Sequence, residues 1–422
     1  MTDAPSASPR SWLQRLVLVR PGEGRPLALS VLYFFLLLCS FYLLRPVRET
    51  LGIAKGAERL PWLMTGTLLV MLVANPAFAA LVSRLPRRRF IPATYRFFGA
   101  SFLAFFLAFR LAGGHAVALG YAFYVWLSVF NLFVVAVFWG YMADLWNRDQ
   151  GERLFGLLSL GGTLGAIVGA GLTELLAGRW KVSPLALLPL SALVLEGATL
   201  CARRLADHFE LGDRAGGPQE PGPGLLEGLS LVFRSPLLGF LCLYMLLFTI
   251  TSTFLYLQQG QIVAATFKGM GERTAAFARI DRLTNLLAIV TQLFVTSRLV
   301  RSAGLKRVLL LLPLVTLAGF GALLAAPVYG TLVAVMVVRR GLHYAVDRPA
   351  REMLYIPLSA DAKYKAKAFV DTFVYRAGDF VGVWTPLGLG ALGLAVGPVA
   401  LGLSAGWLLS GVGLGRAQEK GL

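Results

Sequence analysis

The sequence contains little charge for its length, and this scarcity decides its class. Only 15% of the 422 residues are charged, whereas 57% are hydrophobic. An average soluble domain carries about a quarter charged residues. Apolar runs of roughly 20 residues recur along the chain, each long enough to cross the hydrocarbon core of a bilayer. The composition predicts a polytopic, all-α membrane protein and excludes an ordinary soluble domain.

Cysteine and histidine are also scarce, which limits the available chemistry. The three cysteines are odd in number, lie in or beside apolar segments and show no metal-ligand spacing. The three histidines form no Ser-His-Asp set and no metal cluster. The glycine-rich segment SLGGTLGAIVGAG (residues 159–171) lacks the Gly-Lys-Ser/Thr of a phosphate-binding loop and predicts close helix packing instead. We therefore expect no enzyme, no cofactor and no metal site.

Positive charge outweighs negative charge, and the formal net charge is +18. The basic residues cluster in short loops between apolar runs, as in SRLPRRRF (83–90), SRLVRSAGLKR (297–307) and KYKAK (363–367). Such clusters are typical of the cytoplasmic loops of membrane proteins. The charge therefore indicates a bilayer partner, and we expect no nucleic-acid partner.

The apolar runs predict twelve transmembrane helices. The expected spans are residues 27–50, 61–84, 90–111, 119–143, 154–178, 184–201, 237–258, 275–299, 308–325, 328–346, 366–394 and 395–414. The chain then divides into a cytoplasmic tail (1–26), a six-helix bundle (27–203), a central cytoplasmic loop (204–235), a second six-helix bundle (236–415) and a cytoplasmic tail (416–422). This plan resembles the major facilitator superfamily, which builds each half from inverted three-helix repeats. A cell inner membrane is the expected location, with both termini in the cytoplasm.

A charged motif, R-P-x-R-E-x-L, ends two of these spans, at residues 45–51 and 348–354. In the first copy Arg45, Arg48 and Glu49 share one helix face. They either snorkel to the interface with Glu49 pairing Arg45, or the arginines hold an anion in a water-filled pathway. The second copy lies toward the opposite side of the membrane, so an anion would meet a positive site at each mouth. Chance similarity over seven residues is the alternative explanation.

Two further spans carry polar stripes. In the eighth span Asp281 and Arg282 need partners, either each other or the first span, and line a cavity or form a structural pair. In the eleventh span Asp371, Tyr375 and Asp379 recur at intervals of four and predict a shared face. The cytoplasmic end of this span, before Asp371, is basic, and Arg376 lies between Tyr375 and Asp379. They form either a self-neutralised cluster or a polyanion site.

Three segments resemble the ATP:ADP antiporter family, the nucleotide translocators of plastids and obligate intracellular bacteria with relatives in free-living bacteria. They are LLRPVRETLGI (43–53), FYVWLSVFNLFVVAVFWGYMADL (123–145) and KYKAKAFVDTFVYRAGD (363–379). The resemblance implies a twelve-helix fold and exchange of adenine nucleotides. It also implies substrate contacts for Arg45, Arg48, Lys365 and Lys367. The family's glutamates in helices 4 and 7 are missing, because residues 123–140 and 251–263 contain no carboxylate. We expect the free-living bacterial members to be its nearest relatives.

The leading hypothesis is a monomeric secondary transporter of a small anionic substrate, a nucleotide or related phosphorylated anion. The predicted substrate-binding residues are Arg45, Arg48, Lys365, Lys367, Arg376 and Tyr256, and the predicted gating or coupling residues are Glu49, Asp281, Arg282, Asp371 and Asp379. One alternative is a proton-coupled transporter of another solute, in which Asp281 or Asp371 titrates. A non-transporting membrane receptor is a third hypothesis.

Overall fold

The computed structural model describes residues 19–84, 86–112, 116–209, 231–232, 235–356 and 358–419. Most of the predicted central loop and N-terminal tail lies outside the described residues. Within the described ranges the regular elements are helices. Their bounds are α1 Gly24–Gly52, α2 Leu60–Arg84, α3 Arg87–Leu111, α4 Ala116–Leu145, α5 Arg148–Thr173, α6 Leu187–His208, α7 Pro236–Thr266, α8 Met270–Phe294, α9 Thr296–Ala325, α10 Tyr329–Leu342, α11 Arg348–Met353, α12 Ala360–Ala368, α13 Tyr375–Ala391 and α14 Val396–Glu419.

Three π-helical turns continue these helices without a break. They are Glu174–Arg179 after α5, His343–Asp347 between α10 and α11, and Phe369–Val374 between α12 and α13. A π turn holds more residues than an α turn, so side chains beyond it face a different direction from that predicted by α spacing.

Nine of the described helical segments are long and apolar enough to cross a membrane. A multi-pass membrane protein is therefore confirmed. The segments that fall short are α8 and the two helices interrupted by π turns, residues 329–353 and 360–391. These segments carry many of the charged side chains discussed below. The count of twelve crossings and the division into two halves stay predictions.

The glycine-rich segment of α5 packs directly against the backbone of α1, which confirms the predicted packing role. A Cβ atom added at Gly161 would lie 2.7 Å from the carbonyl oxygen of Val31. One added at Gly165 would overlap the carbonyl oxygen of Phe35. Only hydrogen at these positions lets the two helices approach so closely.

A cluster of buried apolar side chains packs together where α1 and α7 end. It joins residues at the end of α1 and the start of α2 to residues of α7 and α8, including Ile53, Leu60, Phe254, Val263 and Phe277. Nearby, the hydroxyls of Thr50 on α1 and Thr274 on α8 are 3.0 Å apart. Members of this cluster, such as Phe277 and Tyr124, also line the cavities described next.

Candidate functional site

The site is built on the last turns of α1. The residues of the predicted charged face belong to this helix and do not lie beyond its end. Arg45, Arg48 and Glu49 follow the 3–4 spacing of one α-helical face. Pro46 lies among them and supplies no backbone N–H. The hydroxyl of Thr50 donates to the Pro46 carbonyl over 2.9 Å. These side chains therefore point from a transmembrane helix into the protein interior.

Arg45 pairs with Asp281 of α8, as the sequence predicted when it offered the first span as a partner. Nη1 of Arg45 lies 2.6 Å from Oδ1 of Asp281. Nη1 of Arg340, on α10, lies 3.0 Å from the same oxygen. The Asp281 side chain is only 4% exposed. One buried carboxylate therefore joins arginines from two distant parts of the chain.

Glu49 pairs with Arg48 rather than with Arg45, so the Arg45–Glu49 pair of the snorkelling alternative is wrong. Nη2 of Arg48 lies 2.5 Å from Oε1 of Glu49, and Nη1 donates to Oγ of Ser128 over 3.0 Å. The Arg48 guanidinium also lies over the ring of Tyr124, 4.7 Å from its centroid. Arg45 turns toward α8, whereas Arg48 turns toward α4, so the two arginines meet different neighbours.

Tyr256 of α7 completes this network. Its hydroxyl donates to Oε2 of Glu49 over 2.5 Å and lies 2.6 Å from the hydroxyl of Tyr124. The contact links α1, α4 and α7 through polar groups. The predicted substrate residue Tyr256 and the predicted gating residue Glu49 are thus in direct contact.

A central cavity of about 420 Å³ lies between α1, α2 and α4 on one side and α7 and α13 on the other. Its charged lining consists of Arg45, Arg48, Arg376 and Asp379. Nη1 of Arg376 lies 3.8 Å from Oδ2 of Asp379, and the Arg376 side chain is 41% exposed. Three guanidinium groups therefore face one carboxylate in this volume. Its polar and aromatic lining includes Tyr124, Ser128, Asn131, Tyr256 and Tyr375.

A second volume, called here the arginine cavity, measures about 250 Å³. It is lined by Arg339 and Arg340 of α10, together with Arg45, Glu49 and Asp281. Arg339 and Arg340 are not among the site residues predicted from the sequence. Their signal was nevertheless present, because the adjacent arginines of MVVRRGL lie inside an apolar run and intramembrane charges are functional candidates.

Four other predicted site residues lie outside both cavities. Lys365 and Lys367 are on α12, and neither belongs to the described lining of either cavity. Nζ of Lys367 lies 2.6 Å from Oε2 of Glu352. Arg282 turns to Glu174, with Nε 2.7 Å from Oε2, and not to its neighbour Asp281. Arg279 binds the other oxygen of Glu174 over 2.8 Å, so α8 is tied to the end of α5. The fourth residue is Asp371.

The predicted shared face of Asp371, Tyr375 and Asp379 is wrong. Asp371 lies within the π turn Phe369–Val374 and is exposed, whereas Tyr375 and Asp379 line the central cavity. The extra residue of the π turn rotates Asp371 away from the other two. Asp379 accepts from the hydroxyl of Thr253 over 3.3 Å, which holds it against α7. Among the described residues no cluster of His, Cys, Asp and Glu is arranged to hold a metal ion.

Comparison with known sequences gives a family and two kinds of relative. The model of the Major Facilitator Superfamily matches residues 26–345. The chloroplastic ADP,ATP carrier protein 1 of Arabidopsis thaliana is 23% identical over 407 residues, covering 81% of this chain and 64% of that protein. This chain thus spans slightly less than two thirds of that relative. The ADP,ATP carrier protein 1 of Chlamydia pneumoniae is 20% identical over 472 residues, covering 91% of this chain and 90% of that protein.

Comparison with solved structures gives the same architecture. The nucleoside transporter NupG superposes with a TM-score of 0.62 at 14% identity, covering 94% of this chain and 99% of that chain. A bacterial homologue of the human lysosomal transporter Spinster, in an inward-facing and unoccupied conformation, superposes with a TM-score of 0.57 at 14% identity. That match covers 95% of this chain and 96% of that one. At such low identity these similarities establish a shared fold.

Proposed function

This chain belongs to the major facilitator superfamily and is a secondary transporter, and from that premise we propose that it exchanges nucleotides, or a closely related phosphorylated anion, by alternating access. The charge of the central cavity carries the proposal. Arg45, Arg48 and Arg376 line it together with one carboxylate, Asp379. Arg45 and Arg48 also pair with Asp281 and Glu49. Their guanidinium groups nevertheless line the cavity, and guanidinium groups placed within membrane helices favour an anionic solute.

The arginines have the chemistry for phosphate. A guanidinium donates two parallel hydrogen bonds to a phosphate group, and each charge-assisted bond is stronger than a neutral one. Nε of Arg48 is buried and has no hydrogen-bond partner among the described residues. A reorientation of Arg48 toward the cavity would give this donor a phosphate oxygen as acceptor.

The tyrosines supply surfaces for a base or sugar. Tyr124, Tyr256 and Tyr375 line the same cavity as the arginines. Stacking of a base on an aromatic ring is worth about 1–3 kcal/mol. The volume of about 420 Å³ falls within the range of about 300–1,000 Å³ common for small-molecule sites. The printed names of the relatives, ADP,ATP carriers and a nucleoside transporter, agree with this class of solute.

The proposal includes the expected organisation of the chain. It has twelve membrane crossings in two six-helix halves, residues 27–203 and 236–415, so that both termini would lie in the cytoplasm. The protein would be a monomer in the cell inner membrane. Lys365 and Lys367 would then attract anions toward the cytoplasmic mouth by their charge, without belonging to the cavity. Glu49, Asp281 and Arg282 would couple movement of the helices that they join.

Proton coupling receives less support from the contacts of its proposed groups. Asp281 lies between two guanidinium groups, at 2.6 Å and 3.0 Å, so it already holds two ion pairs. Asp371 is exposed and outside both cavities. Neither carboxylate belongs to the described lining of the central cavity.

Counterflow in liposomes tests the proposal. Purified protein is reconstituted in liposomes containing unlabelled ADP, and uptake of labelled ATP is followed. We expect uptake that requires internal nucleotide. Arg48→Ala removes a charged donor worth about 1.5–3 kcal/mol, so uptake at low substrate concentration should fall roughly 10- to 100-fold.

Arg96→Ala is the matched control. Arg96 pairs with Glu196 on α6, with Nη2 2.6 Å from Oε1, and does not belong to the described lining of the central cavity. The control should retain uptake. Folded wild-type protein that takes up no ATP under these conditions would refute nucleotide exchange. A panel of phosphorylated and unphosphorylated solutes would then identify the transported class.

A further inference from the structure

The arginine cavity carries more positive than negative charge. Its lining contains three guanidinium groups and two carboxylates, and one of the carboxylates, Glu49, already pairs with Arg48 outside the lining. These groups are Arg45, Arg339, Arg340, Glu49 and Asp281. A buried charge that lacks an opposite charge is strongly unfavourable, because the protein interior solvates it less well than water.

Arg339 is the group without a carboxylate. The residue is 4% exposed. Nε donates to Oγ1 of Thr316 over 2.9 Å, and Nη2 donates to Oγ of Ser252 over 2.8 Å. Nη2 also approaches Oγ1 of Thr251 at 3.3 Å and the Phe248 carbonyl at 3.4 Å. These partners are all neutral, and in the described part of the chain no carboxylate forms an ion pair with Arg339.

Arg340 retains a buried donor. Its Nη1 shares Oδ1 of Asp281 with Arg45, so one carboxylate oxygen serves two guanidinium groups. Its Nη2 is buried and has no hydrogen-bond partner among the described residues. An unsatisfied buried donor of a charged group is more unfavourable than an unsatisfied neutral one. Arg340 lines the cavity, so an anion there would place a negative charge beside this guanidinium group.

We propose that the arginine cavity binds a small monovalent inorganic anion of the halide class as a counter-ion to Arg339 and Arg340. One bound negative charge would offset part of this positive excess. The cavity is also lined by Phe248, Phe277 and Met336, whose apolar surfaces suit a weakly hydrated monovalent ion. A divalent oxyanion fits less well, because the cost of removing an ion from water rises with the square of its charge. The volume of about 250 Å³ is smaller than common small-molecule sites.

The counter-ion differs from the proposed substrate in its site and its test. Substrate would lie in the central cavity, whereas the halide would lie in the arginine cavity. The two volumes share Arg45, Tyr256 and Tyr375 as lining residues. The anion site is therefore tested in substrate-free protein, and its failure would leave nucleotide exchange untouched.

The experiment compares thermal unfolding of the purified full chain in potassium chloride and potassium gluconate at equal ionic strength. Equal ionic strength holds screening constant. A ligand that binds only the folded state raises Tm in a concentration-dependent way. We expect Tm to rise with the concentration of chloride or bromide and to approach the logarithmic dependence on concentration that a binding site gives. Gluconate should leave Tm unchanged. Arg339→Gln should abolish the rise.

Arg279→Gln is the control, because Arg279 is half-exposed and paired with Glu174 outside the cavity. It should keep the halide response. If Arg339→Gln does not fold, Arg340→Gln serves instead, since it removes the other guanidinium and leaves Arg45 on Asp281. Bromide-soaked crystals should show an anomalous peak beside both arginines. Absence of a halide-specific rise in wild type, or an equal rise in Arg339→Gln, would overturn the site. So would a response to phosphate alone.

Discussion

Replacing Asp281 by asparagine should be among the most damaging single changes of charge in this chain. The carboxylate is 4% exposed and lies 2.6 Å from Arg45 and 3.0 Å from Arg340. Asparagine keeps the shape but removes the negative charge, so two guanidinium groups converge on a neutral amide. Breaking a buried ion pair in this way costs about 3–5 kcal/mol. That is roughly a 100- to 4,000-fold change in the folding equilibrium.

The assay is unfolding of purified protein in mixed micelles as the fraction of denaturing detergent rises. Asp207→Asn is the matched control, because Asp207 pairs with Arg88 over 2.9 Å but both side chains are more than half exposed. An exposed pair contributes about 0–1 kcal/mol. The Asp281 variant should therefore unfold at a clearly lower detergent fraction than the Asp207 variant.

A double variant isolates the electrostatic part of the effect. Adding Arg340→Gln to Asp281→Asn removes one of the two uncompensated positive charges. Contacting residues show interaction energies of about 0.5–3 kcal/mol, so the double variant should be less destabilised than the sum of the single variants. Equal losses for Asp281→Asn and Asp207→Asn would show that Asp281 is effectively solvated. The reasoning about the buried network would then be refuted.

Three further predictions follow from contacts elsewhere in the chain. Gly165→Ala should lower stability, because the new methyl group would meet the backbone of α1. Gly156→Ala places its methyl group in open space and should be neutral or stabilising by up to about 1 kcal/mol. Unfolding titrations of the two variants compare their stabilities. Tyr256→Phe should cost about 1–3 kcal/mol in the same titration, and an unchanged midpoint would contradict the hydrogen bond to its carboxylate partner. A hydrogen bond from Arg153, aided by the Arg20 amide, holds the pKa of Glu23 at about 2, below its ordinary value of 4.5. Because the folded-state pKa is lowered, this stabilisation is complete above pH 4.5 and is lost as pH falls toward 2. Glu23→Gln should therefore show a smaller loss of Tm on acidification than wild type; an equal loss would contradict the assignment.

The membrane class and the charged face of α1 were predictable from sequence because both depend on local spacing. Apolar length identifies a span, and residues three and four apart share a face of an α-helix. Arg45, Arg48 and Glu49 therefore lie together as expected. Their partners were predictable only in part, because Asp281 follows more than 200 positions later and no local rule selects one distant carboxylate over another.

The arginines of α10 show a different limit. Arg339 and Arg340 are adjacent in sequence, yet one binds hydroxyl groups of α7 and α9 while the other binds Asp281 of α8. Adjacent residues point about 100° apart on an α-helix, so their surroundings depend on which helices pack on each side. That arrangement is a property of the tertiary fold. The sequence could identify the pair as unusual, but could not give its neighbours.

The π turn Phe369–Val374 has a consequence for comparing this chain with its relatives. A relative whose helix is α-helical throughout would reach the same spatial position with one residue fewer. Its alignment with this chain would then need a single-residue gap inside a transmembrane helix, a place where gaps are usually penalised. Without that gap, the position matched to Asp379 would lie about a quarter of a helical turn from the cavity. Relatives should therefore be aligned separately on the two sides of the turn before any residue of this helix is equated.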